Sequence, residues 1–337
     1  MTRACGSNKL PMIAIDDILN ITGGGDFEAA AMEVFYRQAR ECAPYREYLS
    51  SIGVKADAIK RVEEIPFLPI ELFKTHYVYC APTQPETVFT SSGTGGEGVA
   101  RHYIARAANY EKTFRRAFEM FYGDPARMAI YALLPGYAER TESSLIYMID
   151  SLIRSSGCGR GGFYLRDHER LLDDLRADAG PKILFGVSHA LLDLAESGKE
   201  LHRALNDAIV METGGMKGRR EEMSKEELHA ILCHAFGVGE IHSEYGMAEL
   251  SSQAYSGGRN IFRTPPWMRV SVRDLNDPFA RLPAGARGGI NIIDLANLSS
   301  CAFIQTHDVG LVHSDGSFSV FGRADRSEIR GCNLLVL

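Results

Sequence analysis

The sequence predicts an α/β protein with a mostly parallel sheet covered by helices and a β-rich C-terminal portion. Two observations carry this. Between residues 101 and 243, apolar runs of strand length alternate with amphipathic stretches of helical period, a pattern that favours parallel strands joined by crossover helices. After Trp267 the chain changes to short strands separated by Pro, Gly and Asp turns. Three segments are therefore expected: a helical N-terminal segment over 1–86 packed on the core, an α/β core over 87–267, and a β-rich closing portion over 268–337.

The elements follow in order. Residues 26–51 read as helices, with Ala30, Met32, Val34, Phe35 and Ala39 as an apolar stripe. Gly23-Gly24-Gly25 breaks the chain before them and Asp26 is the expected N-cap. Pro66, Pro69, Pro82 and Pro85 punctuate the approach to a glycine-rich run. Strands are then expected at 101–105, 128–134, 163–165, 182–187, 208–211 and 240–243, alternating with helices at 107–121, 144–154, 167–177, 190–195 and 224–236. Ser224 and Glu227 have capping-box spacing, which fixes the start of the last helix. Ser143-Ser144 reads as a helix start, because no G-x-S-x-G elbow surrounds it. Closing strands are expected at 268–274, 289–294, 302–306 and 318–321.

Bulk properties narrow the function. The formal charge of −6 and the lack of a long Lys/Arg block argue against a nucleic-acid partner. No apolar run approaches the roughly 20 residues that span a bilayer, and residues 1–11 lack the apolar core of a secretory signal. Seven cysteines without a CxxC pair suggest reduced thiols and a cytoplasmic location. The ten histidines show no metal-ligand spacing such as HExxH.

Five motifs carry chemistry. Thr90-Ser91-Ser92-Gly93-Thr94-Gly95-Gly96 combines glycines, which let backbone N–H groups turn toward an anion, with hydroxyl donors for phosphate oxygens. A flexible surface loop has the same composition, so that run alone leaves both readings open. Glu212-Thr213-Gly214-Gly215-Met216-Lys217-Gly218 follows an apolar strand, where its glycines let a flat ring lie against the backbone. Tyr245-Gly246-Met247-Ala248-Glu249 offers an aromatic face and a carboxylate suited to magnesium. Thr306-His307-Asp308 places a carboxylate at the end of a strand, suited to two ribose hydroxyls. Gly322-Arg323-Ala324-Asp325 adds a guanidinium and a second carboxylate at a hinge.

In this order the motifs resemble the adenylate-forming (ANL) superfamily of acyl-CoA synthetases, peptide-synthetase adenylation domains and luciferases. More narrowly, the chain resembles the LuxE-type acyl-protein synthetases. That likeness rests on Phe67-Leu68-Pro69-Ile70-Glu71-Leu72-Phe73-Lys74, on Leu134-Pro135-Gly136-Tyr137-Ala138-Glu139-Arg140 with Ser143-Ser144-Leu145-Ile146-Tyr147-Met148, and on Arg330-Gly331-Cys332. The resemblance implies the ANL N-terminal-domain-like fold, with ATP and Mg2+ as cofactors. Ser91, Ser92, Gly93, Thr94, Gly95 and Gly96 would hold the ATP phosphates. Gly214 and Gly215 would flank the adenine, with Tyr245 and Gly246 beside it and the Tyr245 ring stacked. Glu249 would bind magnesium, Asp308 the ribose, and Arg323 the ribose or α-phosphate. A fatty or other carboxylic acid would become an acyl-adenylate. Cys332 would then accept the acyl group and pass it to a partner reductase, with Arg323, Arg326 and Arg330 lowering the thiol pKa. Read without the family, Cys332 is first a small buried apolar residue in a closing strand.

Three departures qualify the match. Ala248 stands where the family pattern has a threonine, and Ser251 or Ser252 is the expected substitute hydroxyl. The glycine loop ends in Glu97-Gly98 rather than a lysine, with Arg101 the nearest cation. The narrower resemblance implies no lid with a catalytic lysine after the hinge, which makes Lys74 and Lys217 the candidates for that charge, though each reads first as a solvated surface lysine. A CoA ligase of the phenylacetate type shares the first half-reaction, and a non-catalytic, partner-binding version of the fold is the remaining alternative. His189 and His242 are expected to be hydrogen-bonded structural residues. Tyr131, Tyr137, Tyr147 and Met148 either line an acyl tunnel or fill the core.

Overall fold

The first long helix starts two residues before its expected cap, taking in Gly24 and Gly25. The computed structural model describes residues 13–91, 98–135, 140–157, 159–165, 167–197, 201–205, 207–214 and 223–324. Helix α1 spans Ile15–Leu19, α2 spans Gly24–Glu41 and α3 spans Ala43–Ser51. Gly23 is the N-cap of α2, and Asp26 lies in the first turn, where its carboxylate complements the positive end of the helix dipole. Strand β1 (Leu68–Pro69) and the short helix α4 (Leu72–Thr75) complete the segment.

Strands β2 (Thr87–Thr90) and β3 (Arg101–Ile104) pair antiparallel in a separate two-stranded ribbon that brackets the glycine run. The run at 101–105 therefore does not open the parallel sheet. That sheet comprises β4 (Ala129–Leu133), β5 (Gly161–Phe163), β6 (Lys182–Val187), β7 (Ala208–Thr213), β8 (His242–Tyr245) and β9 (Ala254–Ser256), in the order β5-β4-β6-β7-β8-β9. All its pairings are parallel except the last. Every residue of β4 and β6 is buried, as expected of strands covered on both faces. The connecting helices are α5 (Ala107–Tyr122), α6 (Ser144–Ser155), α7 (His168–Ala177), α8 (Ser188–Ala195) and α9 (Lys225–Phe236). Ser143, Asp167 and Ser224 cap α6, α7 and α9, and Ser224 with Glu227 forms the expected capping box.

The closing portion is a second sheet of β10 (Met268–Arg273), β11 (Arg287–Asp294), β12 (Phe303–Val312) and β13 (Phe318–Arg323). These pair antiparallel, and β1 joins parallel to β12 with Leu68 opposite Ile304. Helix α2 is tied to the same region through the fully buried Gln38. Its Nε2 donates to Asn297 O at 2.9 Å, and its Oε1 accepts from Ala302 N at 2.8 Å. A contiguous apolar core runs from Ile15 through the parallel sheet to Phe318.

Candidate active site

The C-terminal ends of parallel strands are where an open α/β sheet presents backbone groups to a ligand, and the motif residues gather there. Tyr245 ends β8, and its ring is buried edge-on against Phe262 and Phe318. Its hydroxyl donates to Asp308 Oδ2 at 2.6 Å, so one tyrosine joins the parallel sheet to the closing sheet. Burial, followed by the charge of Asp308, pushes the phenol well above its ordinary pKa, which keeps it a donor.

Asp308 is not at a strand end, as the sequence suggested. It sits inside the ten-residue β12, because pairing with β13 carries that strand on to Val312. A register shift follows at Val309/Gly310, and Asp308 lies directly opposite Arg323. The exposed Arg323 guanidinium reaches Asp308 Oδ1 at 3.5 Å. Asp308 thus faces a phenol on one oxygen and an exposed guanidinium on the other.

Glu249 is buried, and burial raises its carboxyl pKa. Its own backbone N–H, Arg323 and Lys74 pull the other way, while Asp308 adds to the rise. Glu249, Asp308, Arg323 and Lys74 therefore share one electrostatic neighbourhood with Tyr245. Lys74 belongs to α4, and beside it Glu71 bonds His307 Nε2, the residue before Asp308. A lone buried carboxylate suits Mg2+, whose other ligands in nucleotide sites are phosphate oxygens and water. Among the described residues no group of three His, Cys, Asp or Glu side chains could hold a metal by itself.

Gly214 follows β7 in the left-handed region, with φ of +69°. Glu212 and Thr213, expected after the strand, are its last two residues because pairing with β6 and β8 extends that far. Glu212 is fully buried. Burial alone would raise its pKa, but the Lys225 ammonium, His229 and Ser243 reverse this and hold it at about 2. Ser243 Oγ donates to Glu212 Oε1 at 2.6 Å, and Ser188 Oγ faces both Glu212 Oε2 at 3.0 Å and Gly214 O at 2.8 Å. Lys225 also lies over Phe262, the ring that packs on Tyr245. A Cβ at Gly246 would lie 2.4 Å from Glu244 Oε1, so a larger residue there would displace the Glu244 carboxylate, whose other oxygen accepts from Thr213.

Of the glycine run, Ser91 is described. Its N–H donates to Ala100 O at 3.1 Å and its Oγ accepts from Ala100 N at 3.0 Å, which closes the mouth of the loop. Ser92, Gly93, Thr94, Gly95, Gly96, Gly215, Lys217, Arg326, Arg330 and Cys332 lie outside the described residues. The substitute hydroxyls expected from Ser251 and Ser252 are not at the site. Ser251 Oγ donates to Asn297 Oδ1 and Ser252 Oγ to Asp294 Oδ1, both in the interior. Buried Tyr131 bonds Asp178 Oδ2 at 2.9 Å and Met148 is also buried, so both fill the core, whereas half-buried Tyr147 bonds Glu111 at 2.6 Å. Tyr137 lies outside the described residues. His242 is structural, within 3.2 Å of the Tyr122 hydroxyl.

Sequence reasoning missed the support of the Glu249 loop. His102 Nδ1 contacts Ala248 O at 2.8 Å and Nε2 contacts Asn297 Oδ1 at 2.7 Å. Asn297 Nδ2 donates to Glu249 O at 2.8 Å and to Cys301 O at 3.1 Å. Asp294 Oδ2 accepts from Ser251 N and Ser252 N at 2.8 and 2.9 Å. Apart from Asn297 and Cys301, these partners lie 42 to 195 residues apart in sequence, so no local pattern marks them.

No protein-family model matches the sequence, and no curated protein matches it. Solved structures do. MatB from Rhodopseudomonas palustris, crystallised with ATP bound, superposes with a TM-score of 0.53 at 17% identity, over 70% of this chain and 47% of that one. A 2-hydroxyisobutyryl-CoA ligase in its postadenylation state, with 2-HIB-AMP, gives a TM-score of 0.69 at 15% identity, over 91% and 70% of the two chains. The same ligase in its thioesterification state, with 2-HIB-AMP and CoA, gives 0.66 at 17% identity over 95% and 73%. The chain thus spans about half the length of the MatB structure and about seven-tenths of the ligase. Its architecture, parallel sheet and β-rich portion together, is the N-terminal-domain-like fold of the adenylate-forming enzymes.

Proposed function

We propose that this protein activates a carboxylic acid with ATP, forming an acyl-adenylate and pyrophosphate. The observation that carries the reading is the convergence of Tyr245, Glu249, Asp308, Arg323 and Lys74 at one edge of an adenylate-forming fold. In that arrangement Asp308 accepts from the ribose hydroxyls, and the Tyr245 phenol steadies its carboxylate. Arg323 supplies positive charge to the ribose or α-phosphate, and Lys74 supplies a second cation close to Glu249. Glu249 would hold Mg2+, which when bound offsets the phosphate charge. Ser91 fixes the base of the loop whose remaining residues, Ser92 to Gly96, would cradle the phosphates. An oxygen of the acid carboxylate then forms a bond to the α-phosphorus as the bond to pyrophosphate breaks, and positioning with charge stabilisation supplies most of the rate.

The second half-reaction we assign to Cys332, on the likeness of Arg330-Gly331-Cys332 to the LuxE-type tail. Its thiolate would attack the acyl carbon, giving a thioester and AMP, and the acyl group would pass to a reductase. A second reading is favoured by a specific observation: the ligase that covers 91% of this chain carries CoA in one of its states. On that reading a soluble thiol takes the acyl group.

ATP–pyrophosphate exchange with a panel of fatty and short acids tests the adenylation step. Acid-dependent exchange is expected, and its absence with every acid, together with no calorimetric heat for millimolar Mg-ATP, would leave the non-catalytic scaffold. A hydroxylamine-labile acyl label on the intact protein, lost in Cys332→Ser, separates transfer to the protein from transfer to CoA.

A further inference from the structure

We propose that His102 is a positioning residue that couples the ribbon bearing the glycine loop to the loop bearing Glu249. The proposal deepens the adenylation reading and rests on it for its functional half. His102 lies on β3, the strand that leaves the glycine loop, and its ring is fully buried. Both ring nitrogens bear on the far loop: Nδ1 meets Ala248 O directly, and Nε2 meets Oδ1 of Asn297, whose Nδ2 holds Glu249 O. Phe73, next to Lys74 on α4, packs edge-on against the same imidazole. One side chain therefore touches the supports of three functional groups.

The donor count sharpens the argument. Asn297 Nδ2 spends its two protons on Glu249 O and Cys301 O, and Ser251 donates to Oδ1. The amide orientation is thereby fixed, with oxygen toward His102. Ala248 O is also an acceptor, so both ring nitrogens face oxygens. Burial holds the imidazole pKa down to about 4, so at neutral pH the ring carries a single N–H, which donates to one of the two oxygens and not to both. Asparagine retains a donor near the Nδ1 position and glutamine one near Nε2, so the two substitutions separate the direct tie from the relayed one.

The experiment uses the full chain. Amide hydrogen exchange is measured over 246–252, where Ser251 N and Ser252 N are held by Asp294. Emission from Trp267, the single tryptophan, reports the same loop through its 2.9 Å bond to Ser252 Oγ. In His102→Ala we expect exchange of the loop to rise at least about tenfold while β4 and β6 stay protected, with a shift in Trp267 emission. His102→Asn restores both signals and His102→Gln does not. In ATP–pyrophosphate exchange, His102→Ala raises the Mg2+ concentration for half-maximal rate about tenfold, with the rate at saturating Mg2+ much less affected. Unchanged loop protection in His102→Ala would overturn the proposal, as would loss of protection throughout the sheet or rescue by glutamine alone. The exchange and emission arms need no turnover, so they decide the coupling even if no acid supports adenylation.

Discussion

Asp308 accepts from the Tyr245 phenol and pairs with Arg323, so it is held from two sheets. Removing the carboxylate should cost more than removing the phenol hydroxyl. Glu249→Gln and Asp308→Ala are each expected to slow adenylate formation by at least about tenfold, roughly 1.4 kcal/mol of transition-state stabilisation. Near-normal exchange rates in both variants would dismantle the site assignment. Glu212 is a different case, a buried carboxylate with its donors already inside the protein. Its folded pKa of about 2 lies below the ordinary carboxylate value. The resulting stability is present above the ordinary value and is lost as pH falls toward 2. Urea titrations between pH 5 and pH 2 should show this loss, and a flatter profile in Glu212→Gln. That variant should also lose about 3 kcal/mol at neutral pH, because Lys225 and the hydroxyls keep their positions without a charged partner.

Elements set how these side chains are held. The Glu249 loop carries one turn hydrogen bond of its own, from Leu250 N to Met247 O at 3.1 Å, and β3, β11 and the turn after it grip it through His102, Asp294 and Asn297. His102 makes the grip sensitive to acid. Its pKa is depressed from 6.5 to about 4, so the unfolded chain binds a proton that the folded one refuses. Stability is full above pH 6.5 and is lost as pH falls toward 4, by about 3 kcal/mol at the lower end. Denaturant midpoints at pH 7.5 and pH 4.5 measure the loss, and His102→Asn should remove most of it. Helix α9 supplies both Lys225 and His229 to Glu212, and its start depends on the Ser224–Glu227 box. Ser224→Ala should cost about 1 kcal/mol, read as a shift in the chemical denaturation midpoint.

For the whole molecule, the decisive contacts join the first 86 residues to the last 70. β1 pairs with β12, and Gln38 ties α2 to Asn297 and Ala302, next to the support of the Glu249 loop. The core is continuous across all three expected segments. A chain beginning at residue 87 should therefore not fold independently. It would expose Phe303 and leave an open edge on β12, and analytical ultracentrifugation should find it aggregated. The full chain should unfold in one transition by circular dichroism and by Trp267 emission.

The sequence alone determined most of the elements and their order, though not α1, β1, α4 or β9. Strand and helix periods, the Ser224–Glu227 cap and the motif succession from Ser91 to Arg323 are local signals, and local chemistry produces them wherever the chain goes. It also singled out Tyr245, Glu249, Asp308 and Arg323, because glycine, aromatic and carboxylate residues at loop ends are visible in a line of letters. Only the tertiary structure decided which partners complete them. It extended β12 past Asp308, turned Ser251 and Ser252 inward, set β2 and β3 apart as a ribbon, and brought His102 to Ala248 across 146 residues. Burial is the reason: a polar group removed from water takes whatever complementary group the packing brings near, and packing is a property of the assembled sheets rather than of any segment.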